Sequence, residues 1–463
     1  MNQNNSSNLV IISVPFIRIA RNLLSREVLT LFSTKADILI VSPFCSEAGF
    51  REDFQKENTT LYTWKQKECS YLTQKILVIT ELMRRNGFWF KYRNSGMEFF
   101  YKNQYTVFGN EGKDHKLNAI KRLFLYLLGL IGQSKKSWNI AENLLGKSWY
   151  QDKRLLEISR KYENISLIQA ANWGIQDREL AHLSNDENWK KILVTYSTDQ
   201  LFCNGHLLNN FDSVCVQGPF EYKQARDFHK IPESKIYKLG SLWFRHLEEI
   251  KRDEVSELKT DHKKKRTIVY AGVSSDYYSL SDELAAVDSI LNYIDKMESE
   301  VKLIYRPVAS DIKIKKRIEE KYNSISSIEL IWPKNLFISI DKYGEKGFRE
   351  SILQFINDCK GCDLFIMSYS TSLGIEMAFL EKCAVISNML DNKGMLKKRN
   401  HKYFRMDYFK GVPIANSIEN LLKMVNLYLH DKRSSEALAN QIISEWDYPH
   451  ENLGSILLKV VFD

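Results

Sequence analysis

Residues 363–387 read Asp363-Leu-Phe-Ile-Met-Ser-Tyr-Ser-Thr-Ser-Leu-Gly-Ile-Glu-Met-Ala-Phe-Leu-Glu-Lys-Cys-Ala-Val-Ile-Ser387, and this stretch decides the fold of the C-terminal half. Its apolar run Leu364–Met367 predicts a buried strand, followed by a hydroxyl-rich turn and a helix through Glu376. A second apolar run, Ala384–Ser387, predicts a returning strand. A strand, a helix and a strand in succession indicate a βαβ unit, and such units build parallel sheets.

The same pattern extends outward from this unit along the chain. A helical pattern at Arg18–Phe32 separates two strand-like runs near the N-terminus, and the other runs are also short, apolar and bounded by turn or helix signals. These runs are Leu9–Val14, Ile38–Ser42, Ile165–Gln169, Lys191–Tyr196, Ser213–Gln217, Thr267–Tyr270, Val301–Tyr305 and Ile328–Ile331. We predict an α/β protein with two Rossmann-like domains facing a cleft.

The domain boundaries follow from length and charge. A chain of 463 residues exceeds the ~250 to 300 residues at which a single core stops growing. The run Lys251–Arg266 is charged and lacks an apolar face, which indicates a solvated linker. We predict an N-terminal domain at 1–240, a linker at 241–264, a C-terminal domain at 265–435 and a C-terminal helical tail at 436–463.

The composition of the chain argues against a membrane-spanning, secreted or disulfide-rich protein. The longest uncharged apolar runs have nine residues, about half of the ~20 that span a bilayer. The first seven residues carry no basic segment of the kind that opens a signal peptide. Seven scattered cysteines are typical of reduced thiols. We therefore expect a cytoplasmic protein without a transmembrane helix, and its formal charge of +9 favours anionic partners.

The turn between the two strands of residues 363–387 has the features of an anion site. Free N–H groups and the positive end of a helix dipole meet at such a turn, and hydroxyl side chains add donors. We expect a diphosphate at Ser370, Thr371 and Ser372, with Glu376 accepting hydrogen bonds from ribose hydroxyls. The alternative is that Ser370 or Thr371 only caps the helix.

This strand, Ser-Thr turn and Glu-bearing helix resemble the donor-binding motif of GT-B-fold glycosyltransferases. CDP-glycerol transferases and non-hydrolysing UDP-GlcNAc 2-epimerases share related architecture. The stretch Ser213–Ser241 is similar to the region where such enzymes cross between domains. The resemblance implies a nucleotide sugar, UDP-linked, as a substrate rather than a cofactor, and a C-terminal helix that crosses back to the N-terminal domain.

A second segment resembles a motif of bacterial surface-polysaccharide glycosyltransferase-like proteins. Thr195–Gly205 is similar to their Ser-Trp-Asp-Asn-Leu-Thr-x-Lys-Gly motif, with Asp199 and Gly205 matching. Thr198 replaces the Trp and Asn204 replaces the Lys. The resemblance implies transfer of a sugar to a cell-surface polysaccharide or lipid-linked acceptor.

Three further residues are candidates for donor binding. Tyr305-Arg306-Pro307 resembles the Arg-Pro-His-Pro turn of the same group, and Val308 stands in the place of the His. Arg306 offers a forked guanidinium for a phosphate, the alternative being a surface Arg. Gly272 lies in a loop expected to line the cleft, and Glu283 begins the next helix, where a capping-box role is the alternative.

The N-terminal half is expected to hold the acceptor. Arg18, Arg21 and Asn22 directly follow the first strand, which puts them on the cleft side of a parallel sheet, and the alternative is a solvated basic face. Inverting transfer needs a general base, for which the candidates are Asp199, Glu47 and His206. No Asp-x-Asp pair follows a strand, so we expect no metal at the site.

Residues 113–136 combine cations with a long apolar run. Lys113, Lys116, Lys121, Arg122, Lys135 and Lys136 flank the run Leu123–Ile131. This composition predicts binding to an anionic membrane surface, at the inner face of the cell membrane. A buried helix with basic ends is the alternative. No nucleic-acid-binding signature accompanies the segment, and we expect no nucleic-acid partner.

The sequence is also compatible with two functions other than glycosyl transfer. A nucleotide-sugar 2-epimerase on the same fold would need several carboxylates and histidines in the cleft, and the C-terminal half is poor in histidine. The other rival is a non-catalytic anion-binding or nucleic-acid-binding α/β protein. Activity on a nucleotide sugar separates the three.

Overall fold

A computed structural model gives the fold and describes residues 7–65, 70–92, 119–137, 139–140, 142, 152–170, 174–197, 200–208, 210–255, 266–272, 279–297, 301–308, 312–332, 349–368, 372–390, 411–448 and 453–463. The chain divides into two compact units. The first runs from the N-terminus to Trp243 and includes Tyr448–Asp463, and the second holds most of Phe244–Asp447.

The first unit contains a parallel sheet of seven strands in the order β3-β2-β1-β4-β5-β6-β7. The strands are β1 Asn8–Ser13, β2 Asp37–Ser42, β3 Thr59–Thr63, β4 Asn164–Gln169, β5 Lys190–Val194, β6 Ser213–Val216 and β7 Ile236–Lys238. β1 and β4 run through the middle, and their apolar side chains are buried. The chain reverses its direction of strand addition between β1 and β4, because β2 and β3 lie on one side and β5 to β7 on the other.

Helices of the first unit connect these strands and add a helical hairpin. They are α1 Ile17–Leu23, α2 Arg26–Ser33, α3 Ala48–Phe54, α4 Tyr71–Lys91, α5 Ala119–Gly132, α6 Lys153–Ser159, α7 Ile175–Asp186, α8 Gln200–Cys203 and α9 Pro219–Asp227. The helical pattern predicted as one element at Arg18–Phe32 is split in two. Ser25 causes the break, because its hydroxyl caps α2 by accepting from the backbone N–H of Val28.

The second unit contains a parallel sheet of six strands in the order β10-β9-β8-β11-β12-β13. The strands are β8 Arg266–Ala271, β9 Val301–Arg306, β10 Ile328–Leu330, β11 Leu364–Ser368, β12 Ala384–Asn388 and β13 Ile414–Ala415. The helices that accompany them are α10 Leu242–Val255, α11 Leu280–Ile294, α12 Ile312–Tyr322, α13 Arg349–Cys359, α14 Ser372–Glu381, α15 Ile418–His430 and α16 Lys432–Trp446. The reversal of strand addition here lies between β8 and β11.

The two sheets confirm the predicted fold class. All strand pairs within each sheet are parallel, as expected for βαβ units. Every strand-like run named from the sequence overlaps an observed strand.

The predicted linker at 241–264 is wrong over its first half. Residues Leu242–Val255 form helix α10, whose Leu247 is fully buried. Phe244 stacks on Phe379 with ring centroids 4.8 Å apart, and the ammonium of Lys251 pairs with Glu381 at 2.9 Å. Lys251 therefore pairs with a carboxylate on α14, whereas the sequence interpretation assigned all charges of this segment to solvent.

The predicted division at 435/436 falls inside helix α16. This helix belongs to the second unit, where the hydroxyl of Ser435 accepts from the backbone N–H of Ala384 at 2.8 Å. The remaining helix, α17 Leu453–Phe462, belongs to the first unit. There the hydroxyl of Ser166 on β4 donates to the Val461 carbonyl at 2.8 Å, and Gly454 lies close to Leu31 of α2.

Candidate functional site

The reversal between β8 and β11 is the natural ligand site of the second unit. In a parallel α/β sheet the loops after two such strands leave toward opposite faces, which opens a crevice at their carboxyl ends. β8 ends at Ala271 and β11 ends at Ser368. The candidate donor residue Gly272 directly follows β8, and Glu376 lies on α14, the helix that follows β11.

Three polar side chains share one face of the sheet at this edge. Tyr270 pairs in register with Ile366, two residues before Ser368, and Ser368 pairs with Asn388. The Tyr270 hydroxyl lies 2.8 Å from the Ser368 hydroxyl and accepts from the Asn388 amide at 2.7 Å. All three residues are buried, and burial raises the pKa of Tyr270 well above its ordinary value. We call them the Tyr270–Ser368–Asn388 relay.

A second buried pair stands beside the relay. Tyr305 of β9 pairs in register with Tyr270, and its hydroxyl donates to Oε1 of Glu283 at 2.6 Å. Burial and the neighbouring carboxylate raise the pKa of Tyr305 far above its ordinary value. A Cβ atom at Gly272 would lie only 2.3 Å from Oε1 of Glu283, so the missing side chain is what lets this carboxylate reach its position. The capping-box alternative for Glu283 does not hold, because its carboxylate points to Tyr305.

Glu376 occupies the first turns of α14 and is only 6% exposed. Among the described residues, no hydrogen bond or ion pair ties its carboxylate to another side chain or to the backbone. The residue as a whole is buried, but its carboxylate oxygens are not among the fully buried polar atoms that lack a partner, so they keep contact with solvent. Such a group is typical of a site that completes its hydrogen bonds with a ligand.

Arg306 ends β9 and is mostly buried. Its guanidinium lies 5.5 Å from the centroid of the Phe355 ring, and its Nε lies 3.8 Å from a carboxylate oxygen of Asp358. The surface-Arg alternative is therefore wrong. Charge-assisted N–H···O bonds are about 2.7 to 2.9 Å long. The Nε of Arg306 is therefore too far from Asp358 for such a bond, and its guanidinium can pair with a closer anion.

The hydroxyl-rich turn itself lies outside the described residues, which include neither Ser370 nor Thr371. Ser372 is the first residue of α14. The helix approaches the sheet closely through Gly374, where a Cβ atom would lie 2.7 Å from Val385 and 2.8 Å from the sulfur of Met367. This contact fixes the start of α14 against the ends of β11 and β12.

The candidate general bases are not brought together in the described part of the first unit. Asp199 lies outside the described residues. Glu47 precedes α3, after β2, and His206 follows β5. Three strand spacings separate β2 from β5 in the sheet, which amounts to about 14 Å.

His206 is buried in a cluster with helix α4. Its ring packs edge-on against Phe88 with centroids 5.3 Å apart, and its carbonyl accepts from the Arg84 guanidinium. Burial, and then the neighbouring His229, lower the pKa of His206 to about 3. The imidazole is neutral and only weakly basic near pH 7, which disfavours it as a general base.

The candidate acceptor residues follow β1 on helix α1. Arg18 is exposed, and the side chain of Arg21 is outside the described atoms. Asn22 is buried, and its amide donates to the Tyr196 carbonyl at 2.6 Å. This hydrogen bond joins α1 to the segment after β5, and the acceptor role of Asn22 stays a prediction.

Sequence reasoning missed a polar cluster at the reversal between β1 and β4. The hydroxyl of Ser13 donates to Asp177 at 2.8 Å and accepts from Gln176 at 3.1 Å. Gln169 donates to the Asp177 carbonyl at 3.0 Å. The available signal was the polar run Gln176-Asp-Arg-Glu179 at the start of a helix, since these residue types are rarely buried without a reason.

Helix α5 presents an unusual surface in the first unit. It packs closely on α4, where a Cβ atom at Gly87 would lie within about 2 Å of the Gly132 backbone. Its other side exposes large apolar side chains, each between 39% and 59% accessible. These residues, here called the α5 apolar face, are Leu123, Phe124, Tyr126, Leu127, Leu130 and Ile131. The buried-helix alternative for this segment is wrong.

No group of three or more His, Cys, Asp or Glu side chains in the described ranges is arranged to hold a metal ion. No helix within those ranges is long and apolar enough to cross a membrane.

Comparison with known proteins gives similarities of fold. No protein-family model and no curated protein matches the sequence. Solved structures that resemble the chain include UDP-GlcNAc 2-epimerase from Methanocaldococcus jannaschii, at 12% identity and a TM-score of 0.49 over 98% of this chain and 99% of that one. MurG of Acinetobacter baumannii is similar at 9% identity and a TM-score of 0.42, over 98% of this chain and 99% of that one. The wall teichoic acid polymerase TagF is similar at 10% identity and a TM-score of 0.42, over 99% of this chain and 90% of that one. These likenesses concern the fold and carry no assignment of activity.

Proposed function

We propose that the second unit binds a nucleotide sugar and that the protein is a glycosyltransferase. The observation that carries this proposal is Glu376, a largely buried residue near the reversal of a parallel sheet whose carboxylate has no hydrogen-bond or ion-pair partner among the described residues. A ribose offers two adjacent hydroxyls, which are the donors that such a carboxylate lacks. Phosphate, in turn, is suited to the start of α14, where backbone N–H groups and the helix dipole point outward.

The proposed roles follow the chemistry of each group. Ser370, Thr371 and Ser372 bind the diphosphate, and Arg306 adds a cation near it. Gly272 and Glu283 shape the wall of the site beside Tyr305. In the first unit, Arg18 and Arg21 face an anionic or lipid-linked acceptor, and Asp199 takes the proton of the acceptor hydroxyl, with Glu47 as the alternative base. A diphosphate is a competent leaving group when donors stabilise its developing charge.

The direct test is a panel of nucleotides and nucleotide sugars measured by thermal shift. A ligand that binds only the folded protein stabilises it by ~2.7 kcal/mol at 100 times its dissociation constant. We expect UDP and a UDP-sugar to raise the unfolding temperature and uridine to do so far less. Absence of any shift with all nucleoside diphosphates contradicts the proposal. Release of UDP with an acceptor, rather than an epimerised sugar, separates transfer from epimerisation.

Transfer is expected to proceed without a divalent metal. The chain offers no Asp-x-Asp pair after a strand, and helix dipole and basic side chains supply the charge instead. EDTA should leave the initial rate nearly unchanged. Complete loss of activity that magnesium or manganese restores would contradict this expectation.

We further propose that the acceptor is met at an anionic membrane surface. Monomeric proteins rarely expose contiguous apolar patches of this kind, and the α5 apolar face is flanked by cations on both sides in the sequence. Residues 115–141 contain no Asp or Glu. An amphipathic helix with apolar and basic residues lies in the plane of the headgroups. A glycan carried on a lipid would be reached from that position, at the cytoplasmic face of the membrane.

Replacing Leu127 by Glu is expected to weaken membrane binding. The change adds a charge to the centre of the α5 apolar face, where Leu127 is 46% exposed, so the fold should tolerate it. Sedimentation with vesicles of mixed neutral and anionic lipid should fall several-fold. Leu427→Glu is the matched control, since Leu427 is equally exposed on α15 of the second unit. Equal binding of both variants, or binding independent of lipid charge, contradicts the proposal, as does a self-associating wild type that ignores vesicles.

A further inference from the structure

The hydrogen bonds of the Tyr270–Ser368–Asn388 relay have a direction. A tyrosine hydroxyl has one proton to donate. In the relay it accepts from the Asn388 amide, and its other hydrogen-bond partner among the described residues is the Ser368 hydroxyl. The Tyr270 hydroxyl is fully buried and cannot donate to water. Its proton therefore goes to the oxygen of Ser368.

The proton of Ser368 is then left without an acceptor inside the relay. A serine hydroxyl that accepts from Tyr270 must turn its own O–H elsewhere, and Ser368 makes no second hydrogen bond within the part of the chain that the structure describes. Ser368 ends β11 directly before the turn at 369–371. The hydroxyl thus stands at the carboxyl edge of the strand with a proton to donate.

We propose that Asn388 and Tyr270 are positioning residues that orient the Ser368 hydroxyl as a donor to a phosphate oxygen of the nucleotide. This inference rests on the function proposed above and adds a residue to its site. Each hydrogen bond in a chain polarises the next one, so an anion beyond Ser368 strengthens all three. Tyr270 suits this task because burial keeps it protonated throughout the neutral range, and a phenol donates more strongly than an alcohol.

The primary test compares UDP with uridine by calorimetry. A hydrogen bond to a charged group makes Ser368→Ala about 10- to 100-fold weaker for UDP. Uridine lacks phosphate, so its affinity should not change. Wild-type protein that binds no UDP contradicts the proposed function, whereas wild-type binding that Ser368→Ala leaves intact overturns this inference alone.

A double-mutant cycle tests whether Tyr270 acts through Ser368. Tyr270→Phe removes the proton that orients the serine, and we expect a several-fold loss of UDP affinity with uridine unchanged. In the Ser368→Ala background, Tyr270→Phe should cause no further loss of UDP affinity, because the serine hydroxyl that Tyr270 orients is absent. Additive losses, or equal losses for uridine, overturn the positioning role and indicate a general effect on the fold.

The direction of the relay has its own test at residue 388. Asp has the shape of Asn but only accepts when ionised, so Asn388→Asp reverses the chain, and Ser368 then donates to Tyr270. UDP affinity should fall about 10-fold or more. Adding Tyr270→Phe releases the serine proton and should recover part of that loss, which charge repulsion alone does not allow. An unchanged or larger loss in the double variant overturns the assigned direction.

Discussion

Replacing Glu376 by Gln is expected to weaken UDP binding by about 10-fold or more while it leaves the stability of the free protein nearly unchanged. Gln has the same shape but carries no charge, and among the described residues the carboxylate has no hydrogen bond or ion pair to lose. The loss of affinity arises because hydrogen bonds from ribose hydroxyls to a carboxylate are stronger than those to an amide. Thermal unfolding and calorimetry with UDP measure the two effects separately.

Glu381 provides the matched control on the same helix. Its carboxylate pairs with Lys251 at 2.9 Å and accepts from the backbone N–H of Gly361 at 2.9 Å. Glu381→Gln should therefore lower stability and leave UDP affinity unchanged. If Glu376→Gln also destabilises the protein, the carboxylate has a structural partner, and the main observation behind the proposed function is lost.

The second large effect is expected for Gly272→Ala. The added methyl group would lie 2.3 Å from Oε1 of Glu283, which must move and release the Tyr305 hydroxyl. Two buried polar groups then lose their partners, at a cost of about 2 to 5 kcal/mol in the free energy of unfolding. Denaturant unfolding measures this loss, and UDP binding should fall with it.

Removal of the Glu283 carboxylate should relieve the clash that Gly272→Ala creates. The nearest atoms to a Cβ at Gly272 all belong to Glu283. In a Glu283→Ala background, Gly272→Ala should therefore lower the free energy of unfolding by less than about 1 kcal/mol. The difference from its effect in the wild-type background is a large coupling free energy. Equal costs in both backgrounds would show that the backbone, rather than the carboxylate, requires glycine at this position.

The sheets were predictable because buried strands of parallel sheets are continuous apolar runs, and such runs are visible in the sequence. Helix α10 was harder to distinguish from a linker. The residues of α10 carry many charges, and only the folded partners Phe379 and Glu381 make its buried side recognisable. Helix boundaries within the tail were missed for the same reason.

The candidate site was partly predictable from the positions of strand ends. Glu376, Gly272 and Glu283 were chosen because they follow strands, and the structure places them around one reversal of the sheet. Tyr270 was missed because it ends a run assigned to the core, and Asn388 was missed because it falls just after the predicted strand Ala384–Ser387. The candidate bases Glu47 and His206 lie apart, since the spatial order of strands cannot be read from their order in the chain.

Helix α17 has a consequence for the synthesis of the protein. It completes the first unit, yet the 204 residues from 244 to 447 are made between Trp243 and this last segment. At a translation rate of ~5 to 20 residues per second, that interval lasts about 10 to 40 seconds. During it, the apolar side of α2 and the hydroxyl of Ser166 have no cover from their own chain. The first unit therefore gains its full set of contacts only after the second unit has been synthesised.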